Sequence, residues 1–193
     1  MTTKYLIKNV EVSGVVSDIA IENETITAIG KSLKSDGATE FDFTGSLALP
    51  GLVDLHTHLR EPGKEDAETV LSGSQAAARG GFTAISAMAN TSPVADTAGV
   101  VEQVYRLGQS AGLVDVFPIG AVTQGIQGEH LAEIGAMADS AARVRVFSDD
   151  GNCVFDPLVM RRALEYIKKF DGVIAQHAQE PRLTQASQMN EGF

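Results

Sequence analysis

The stretch Pro50-Gly-Leu-Val-Asp-Leu-His-Thr-His-Leu-Arg-Glu-Pro-Gly63 decides how the rest of the chain is read. Val53–His58 reads as an apolar strand, and side chains on a strand alternate between faces. Asp54, His56 and His58 are therefore expected on one face, with Val53, Leu55 and Thr57 on the other. Three polar groups on one face of an otherwise apolar strand are costly to bury unless something satisfies them. Two imidazoles two residues apart on a strand can reach one metal ion. For a bare His-x-His, a pair of hydrogen-bonded core histidines explains as much. The polar face that Asp54 adds, and the Arg60-Glu61-Pro62-Gly63 that follows, favour the metal.

Outward from this segment the chain changes character in both directions. Downstream, strand and helix alternate. Ala67–Arg79 is Ala-rich and helical, ended by Gly80-Gly81. Thr83–Met88 is a strand, Ala98–Ala111 a helix, Val114–Ile119 a strand, Glu129–Ala138 a helix and Arg143–Phe147 a strand. Pro157–Phe170 is a helix that opens on proline, with Val159, Ala163, Tyr166 and Phe170 as its apolar stripe. Gly172 ends it, and Val173–His177 is a fifth strand. Such alternation means a parallel sheet with covering helices, an α/β fold. It fits a doubly wound sheet or a (β/α)8 TIM-type barrel, and the pattern alone leaves both open. Upstream, residues 1–49 carry short β-rich runs at Tyr5–Val12, Val15–Ile21 and Thr25–Ile29, punctuated by Gly14 and Asn23-Glu24. Phe41-Asp42-Phe43 alternates like a further strand, so 1–49 is a small β-domain and 50–193 the α/β domain.

Catalytic residues of barrels lie at the carboxyl ends of the strands. The fourth such strand runs into Ser148-Asp149-Asp150-Gly151 and the fifth into His177-Ala178-Gln179-Glu180. Singly, Asp-Asp-Gly is a turn and a lone histidine is structural. Together with His56 and His58, a carboxylate and a third histidine on one rim are better explained by a hydrolytic metal site. Other candidates carry less. His130, after Gly128-Glu129, reads as a solvated residue near a helix start. Cys153 has no basic neighbour to activate it. Gly120-Ala-Val-Thr-Gln-Gly125 lacks the phosphate-loop pattern.

The formal charge of −10, from 15 basic and 25 acidic residues, disfavours nucleic acid or an anionic membrane as partner. One cysteine makes no internal disulfide and fits a reducing compartment. No apolar stretch near the amino terminus suits a signal peptide, and no run approaches a membrane span. A cytoplasmic location is expected.

Residues 50–63 resemble the signature of the amidohydrolase superfamily, in particular the cyclic amidohydrolases. The Arg60-Glu61-Pro62-Gly63 continuation and Asn90-Thr-Ser-Pro93 are similar to bacterial dihydroorotases of the longer, type I class. The similarity extends to Asn190-Glu-Gly192. The resemblance implies two zinc ions, His56 and His58 on the more buried one and His177 on the second. Asp150 matches the carboxylate that bridges both, and Asp149 is then its neighbour; residue reading alone does not separate the two. Relatives such as dihydropyrimidinase and allantoinase bridge with a carboxylated lysine at the end of strand four. Arg143 to Gly151 contains no lysine, which favours the class that uses Asp. Arg60 and Asn90, with His58, match the substrate-binding residues, and a guanidinium fork suits a carboxylate. The family usually has Pro before this Asn, where Ala89 stands here.

The resemblance implies reversible conversion of dihydroorotate and water to N-carbamoyl-aspartate in pyrimidine synthesis. A full (β/α)8 barrel takes roughly 250 residues, more than follow residue 49. The chain is therefore expected to hold the first five βα units of a truncated barrel, behind part of a β-sandwich that the family completes from its carboxyl terminus. The family's remaining histidine and its acid/base aspartate are expected beyond Phe193, with little or no activity in residues 1–193 alone. The alternatives are another cyclic amidohydrolase, hydantoinase- or allantoinase-like, or a non-catalytic partner of aspartate transcarbamoylase. Homo-oligomers or association with that enzyme are further possibilities of the class.

Overall fold

The computed structural model describes residues 3–187. The chain divides into two compact units, with the boundary between Pro50 and Gly51. No helix among the described residues is long and apolar enough to cross a membrane. The Asn190-Glu-Gly192 match lies outside the described residues.

The first unit is a sheet of β1 (Lys4–Val12), β2 (Val15–Glu22), β3 (Thr25–Gly30), β4 (Thr39–Asp42) and β5 (Leu47–Ala48). Both hairpins close through two residues at positive φ, Ser13-Gly14 and Asn23-Glu24, the backbone that matches strand twist. On its other edge β1 pairs in parallel with β4 and then, further along, with the two-residue β5. A bulge between Ile7 and Val10 is fixed by buried Asp18, whose carboxylate accepts the Asn9 and Leu33 N–H groups. Leu6, Val10 and Ile19 form the buried side.

The second unit runs β6 (Leu52–Thr57), α1 (Val70–Arg79), β7 (Phe82–Ala87), α2 (Ala98–Ala111), β8 (Asp115–Pro118), α3 (Ile134–Asp139), β9 (Val146–Phe147), α4 (Pro157–Ile167) and β10 (Val173–Ile174). β6, β7 and β8 form one parallel sheet in that order, and β9 and β10 form another parallel pair. Backbone bonds from Gly120 N–H to Val146 O and from Ser148 N–H to Gly120 O stitch the two together. Five parallel strands thus neighbour one another in chain order. A doubly wound sheet reverses direction at a switch point, and this one does not. Val116 is buried among the helices, whereas Val53, Leu55, Phe117 and Val173 are exposed. One hydrophobic cluster gathers Val70, Ile85, Val104 and Val116 beneath α1 and α2. A second gathers Val122, Ile134, Met137, Phe147, Ala163 and Ile167 around α3 and α4.

Several boundaries differ from expectation for identifiable reasons. α1 starts at Val70, not Ala67, because Thr69 and Ser72 form a capping box, each side chain bonded to the other's N–H at 3.0 Å. α3 starts at Ile134, not Glu129, because residues 130–132 are engaged elsewhere. Gln124 N–H donates to His130 O and Ala132 N–H to Val122 O. His130 is exposed but outside any helix. α4 gives way to a 3-10 turn over Lys168–Phe170 before Asp171 closes it at φ 53°. The fourth and fifth parallel strands are two residues long rather than five.

α2 can lie close on β8 only because residue 108 is glycine: a Cβ there would stand 2.5 Å from Val116 Cβ. Gly108→Ala is expected to cost about 1–3 kcal/mol by overpacking. Gly99→Ala in the exposed first turn of the same helix, where a Cβ would meet nothing within 4 Å, should gain up to ~1 kcal/mol. Urea unfolding midpoints check both; equal effects would mean that α2 does not pack on β8 through Gly108.

Candidate metal centre

His56 is the next-to-last residue of β6 and His58 the first beyond its end. Strict alternation does not run the length of this strand, because its register against β7 slips between Asp54 and Thr57. The two imidazoles nevertheless converge, Nε2 to Nε2 at 3.2 Å. Asp54 does not join them: its Oδ1 accepts the His56 N–H at 3.0 Å, so its polarity is spent on its own strand.

Asp150 reaches the same point from beyond β9. Its Oδ2 lies 3.3 Å from His56 Nε2 and 3.5 Å from His58 Nε2. His177, beyond β10, meets the other oxygen: Nδ1 to Asp150 Oδ1 is 2.8 Å. His177 also contacts Gln179 Oε1 through Nε2 at 3.1 Å. Its pKa is raised, chiefly by the hydrogen bond to Asp150 and then by that to Gln179, against a small opposing effect of burial.

His56, His58 and Asp150 could hold a metal ion, their ligand atoms all lying within 4.8 Å of one another. Metal–ligand bonds of roughly 2.0–2.1 Å in a tetrahedral shell separate ligand atoms by roughly 3.3 Å. The separations of 3.2, 3.3 and 3.5 Å have that size. Two imidazoles and a carboxylate are also a donor set that zinc accepts. Asn90 adds a partner that metal-binding histidines usually have: its Oδ1 lies 2.9 Å from His58 Nδ1. With Nδ1 donating, the His58 lone pair is left on Nε2, where the other two groups converge.

Asn90 sits on the loop after β7, and Arg60 on the turn after β6 at φ 61°. Among the described residues the Arg60 guanidinium has no hydrogen-bond or ion-pair partner. The two loops are tied: Ser92 N–H donates to Pro62 O at 2.9 Å. Gly63, at φ 101°, approaches so closely that a Cβ would fall 2.0 Å from Ser92 O. Glu61 Oε2 accepts Val70 N–H at 2.7 Å, anchoring the same turn to the start of α1.

Two sets of contacts at the site gave no sequence signal. One is the Asn90–His58 contact, which joins residues 32 apart. The other is the anchoring of Asp149, 1% exposed, whose carboxylate accepts Val122 N–H, Thr123 N–H and the Thr123 hydroxyl. Burial raises its pKa, opposed by those three bonds. Cys153 is half-buried, and its Sγ accepts Gln176 Nε2–H at 3.3 Å.

The fold is similar to that of several solved structures. The chain superposes on an L-hydantoinase from Arthrobacter aurescens with a TM-score of 0.68 at 23% identity, over 90% of this chain and 40% of that one. It superposes on a dihydroorotase crystal structure with a TM-score of 0.60 at 13% identity, over 93% and 52%. At such identities these likenesses concern the fold. The sequence goes further. It is 69% identical over 176 residues to a dihydroorotase of Leifsonia xyli, covering 91% of this chain and 40% of that protein. It is 62% identical over 191 residues to a dihydroorotase of Streptomyces coelicolor, covering 98% and 45%. Residues 45–193 match the Dihydro-orotase-like family, and the chain belongs to that family. It spans less than half the length of these curated relatives.

Because one carboxylate touches all three histidines, its loss is expected to matter more than the loss of any one imidazole. Asp150→Ala should remove Zn2+ uptake in equilibrium dialysis. His177→Ala, which leaves the His56–His58–Asp150 triangle intact, should retain one ion. Equal retention by both variants would show that Asp150 is not the organising ligand.

Proposed function

We propose that the protein acts as a zinc-dependent hydrolase of a cyclic amide, reversibly converting dihydroorotate and water to N-carbamoyl-aspartate in pyrimidine synthesis. We further propose that residues 50–193 supply the first five βα units of a (β/α)8 barrel, and residues 1–49 part of a small β-domain. The carrying observation is the convergence of His56, His58 and His177 on the two oxygens of Asp150. Strand order supports the barrel: five parallel neighbours in chain order is barrel order.

In this reading His56, His58 and Asp150 would hold one zinc ion, and His177 with Asp150 would hold a second. When bound, zinc would supply a water of pKa lowered toward ~7 and a Lewis acid for the amide carbonyl. The chain's own residues do the rest. Asn90 holds His58 in the tautomer that presents Nε2. Arg60, its guanidinium free of described partners, takes the substrate carboxylate, with the Asn90 amide and His58 beside it. The tie between Pro62 and Ser92 fixes the separation of Arg60 and Asn90, so the carboxylate is gripped at a set distance from the metals.

A hydantoinase-like activity is the main rival. The structural neighbours include hydantoinases, but the curated relatives above 60% identity are dihydroorotases. The segment from Arg143 to Gly151 offers Asp150 and no lysine to bridge the metals. A non-catalytic partner role needs no converged ligand set. A cytoplasmic location accords with the pathway.

The decisive assay is loss of dihydroorotate by zinc-loaded protein at the length of its curated relatives. Arg60→Ala there should weaken substrate binding by about 1.5–3 kcal/mol, the worth of a charge-assisted hydrogen bond, and leave zinc content unchanged. Turnover of hydantoin in preference to dihydroorotate would overturn the assignment. Parallel loss of zinc and substrate would make Arg60 structural.

A further inference from the structure

Asp149 takes no part in the chemistry above, yet it is the more buried of the adjacent pair, 1% exposed against 8% for Asp150. Oδ1 accepts Val122 N–H at 2.8 Å and Thr123 N–H at 3.0 Å. Oδ2 accepts the Thr123 hydroxyl, which itself accepts Gly128 N–H at 2.9 Å. Both oxygens are therefore engaged by the loop that follows β8, and neither is among the converged ligand atoms of His56, His58 and Asp150.

The backbone around Asp150 has little else to hold it. β9 ends at Phe147, and the last backbone bond from this segment to its neighbour on the β8 side is Ser148 N–H to Gly120 O at 2.8 Å. Beyond it, Asp150 N–H donates to Ser148 Oγ and Asn152 N–H to Asp149 O, both within the turn itself. Such local bonds shape the turn but do not fix where it points. Asn152 Nδ2–H also donates to Ile126 O at 3.0 Å, but that bond is exposed, whereas the bonds of the Asp149 carboxylate to the same loop are buried and directional.

We propose that Asp149 and Thr123 are a positioning pair for the metal centre. By clamping residue 149 to the loop at 122–128 they aim the Asp150 carboxylate between His56 and His58 on one side and His177 on the other. The proposal rests on the reading of Asp150 as a metal ligand.

The test is Zn2+ affinity, measured on the purified protein by competition with a chromophoric chelator, well below the unfolding temperature. Thr123→Val keeps the side chain's size and removes the hydroxyl. It should weaken Zn2+ binding about 10–100-fold, the usual cost of losing support behind a metal ligand. Asp149→Asn should do the same. Thr123→Ser, which restores the hydroxyl, should bind close to wild type. Ile167→Val loses a methylene from the buried core around α4 and should leave affinity unchanged while lowering the unfolding midpoint. With Co2+ in place of Zn2+, Thr123→Val should also alter the visible absorption of the bound ion. Wild-type affinity in a folded Thr123→Val or Asp149→Asn overturns the proposal. So does an equal loss in Ile167→Val, which would make the effect one of general stability. If Thr123→Val does not fold, Asp149→Asn set against Thr123→Ser decides. Asp150→Asn separates the two layers. If it loses zinc while the 123 and 149 variants keep it, only the positioning role falls. If it binds as wild type, the ligand reading falls and the positioning role with it.

Discussion

The Asp150 carboxylate is where the strands of the α/β unit meet chemically. His56 and His58 approach one of its oxygens and His177 the other. These four residues come from the ends of the first, fourth and fifth parallel strands, so their convergence requires the sheet to curve those ends toward one another. No local sequence preference brings that about. It follows from parallel strands laid side by side in chain order, which places every strand's carboxyl end at the same end of the sheet. The candidate ligands meet there because that is where loops from distant segments meet.

The same constraint explains which parts of the architecture could be read from the sequence. α2 was legible to the residue, because Ala98–Ala111 has a steady helical period and Gly112 takes the left-handed closing turn at φ 60°. The β-hairpins of the first unit were legible because Gly14 and Asn23 announce positive-φ turns. α3 was misread because its apparent first turn had a competing use: the backbone at 130–132 pairs with the loop at 122–124. Nothing in a helical period records that a distant segment will take those hydrogen bonds. The two-residue β5, and the brevity of β9 and β10, were hidden for the same reason. Strand length is set by where a neighbour's ladder stops, not by where the apolar run stops.

The site was legible in its residues and not in its connections. His-x-His on a strand, Asp-Asp-Gly and a late histidine each had a bland explanation, and only their shared place at strand ends made a metal the better one. His56 and His58 converge as alternation suggests, whereas the Asp54 carboxylate bonds its own strand beside a slip of register. Resemblance marks Asn90 as a substrate residue; the structure shows a contact that resemblance did not, Asn90 Oδ1 to His58 Nδ1 at 2.9 Å. Arg60 shows the converse. Its guanidinium lacks a described partner, while the turn beneath it is held by Glu61 on α1 and by Pro62 against Ser92. A free side chain on a firmly held backbone suits a group whose partner arrives from solution.

The ligands also differ in what holds them, in a way that follows strand length. His56 lies within a six-residue strand and His58 one residue past it, so the ladder with β7 supports both, through Met88 N–H to Thr57 O at its end. Asp150 and His177 each lie three residues beyond two-residue strands, where no ladder reaches. A side chain three residues past a strand end has several backbone torsions through which to wander, and a metal site tolerates errors of only about half an ångström. The missing order has to come from side chains. At Asp150 the neighbouring Asp149 reaches back to Val122 and Thr123. At His177, Gln179 holds the ring's other nitrogen and is itself bonded to Thr184. Polar residues beside the converging groups thus take over the work of the sheet where the sheet ends.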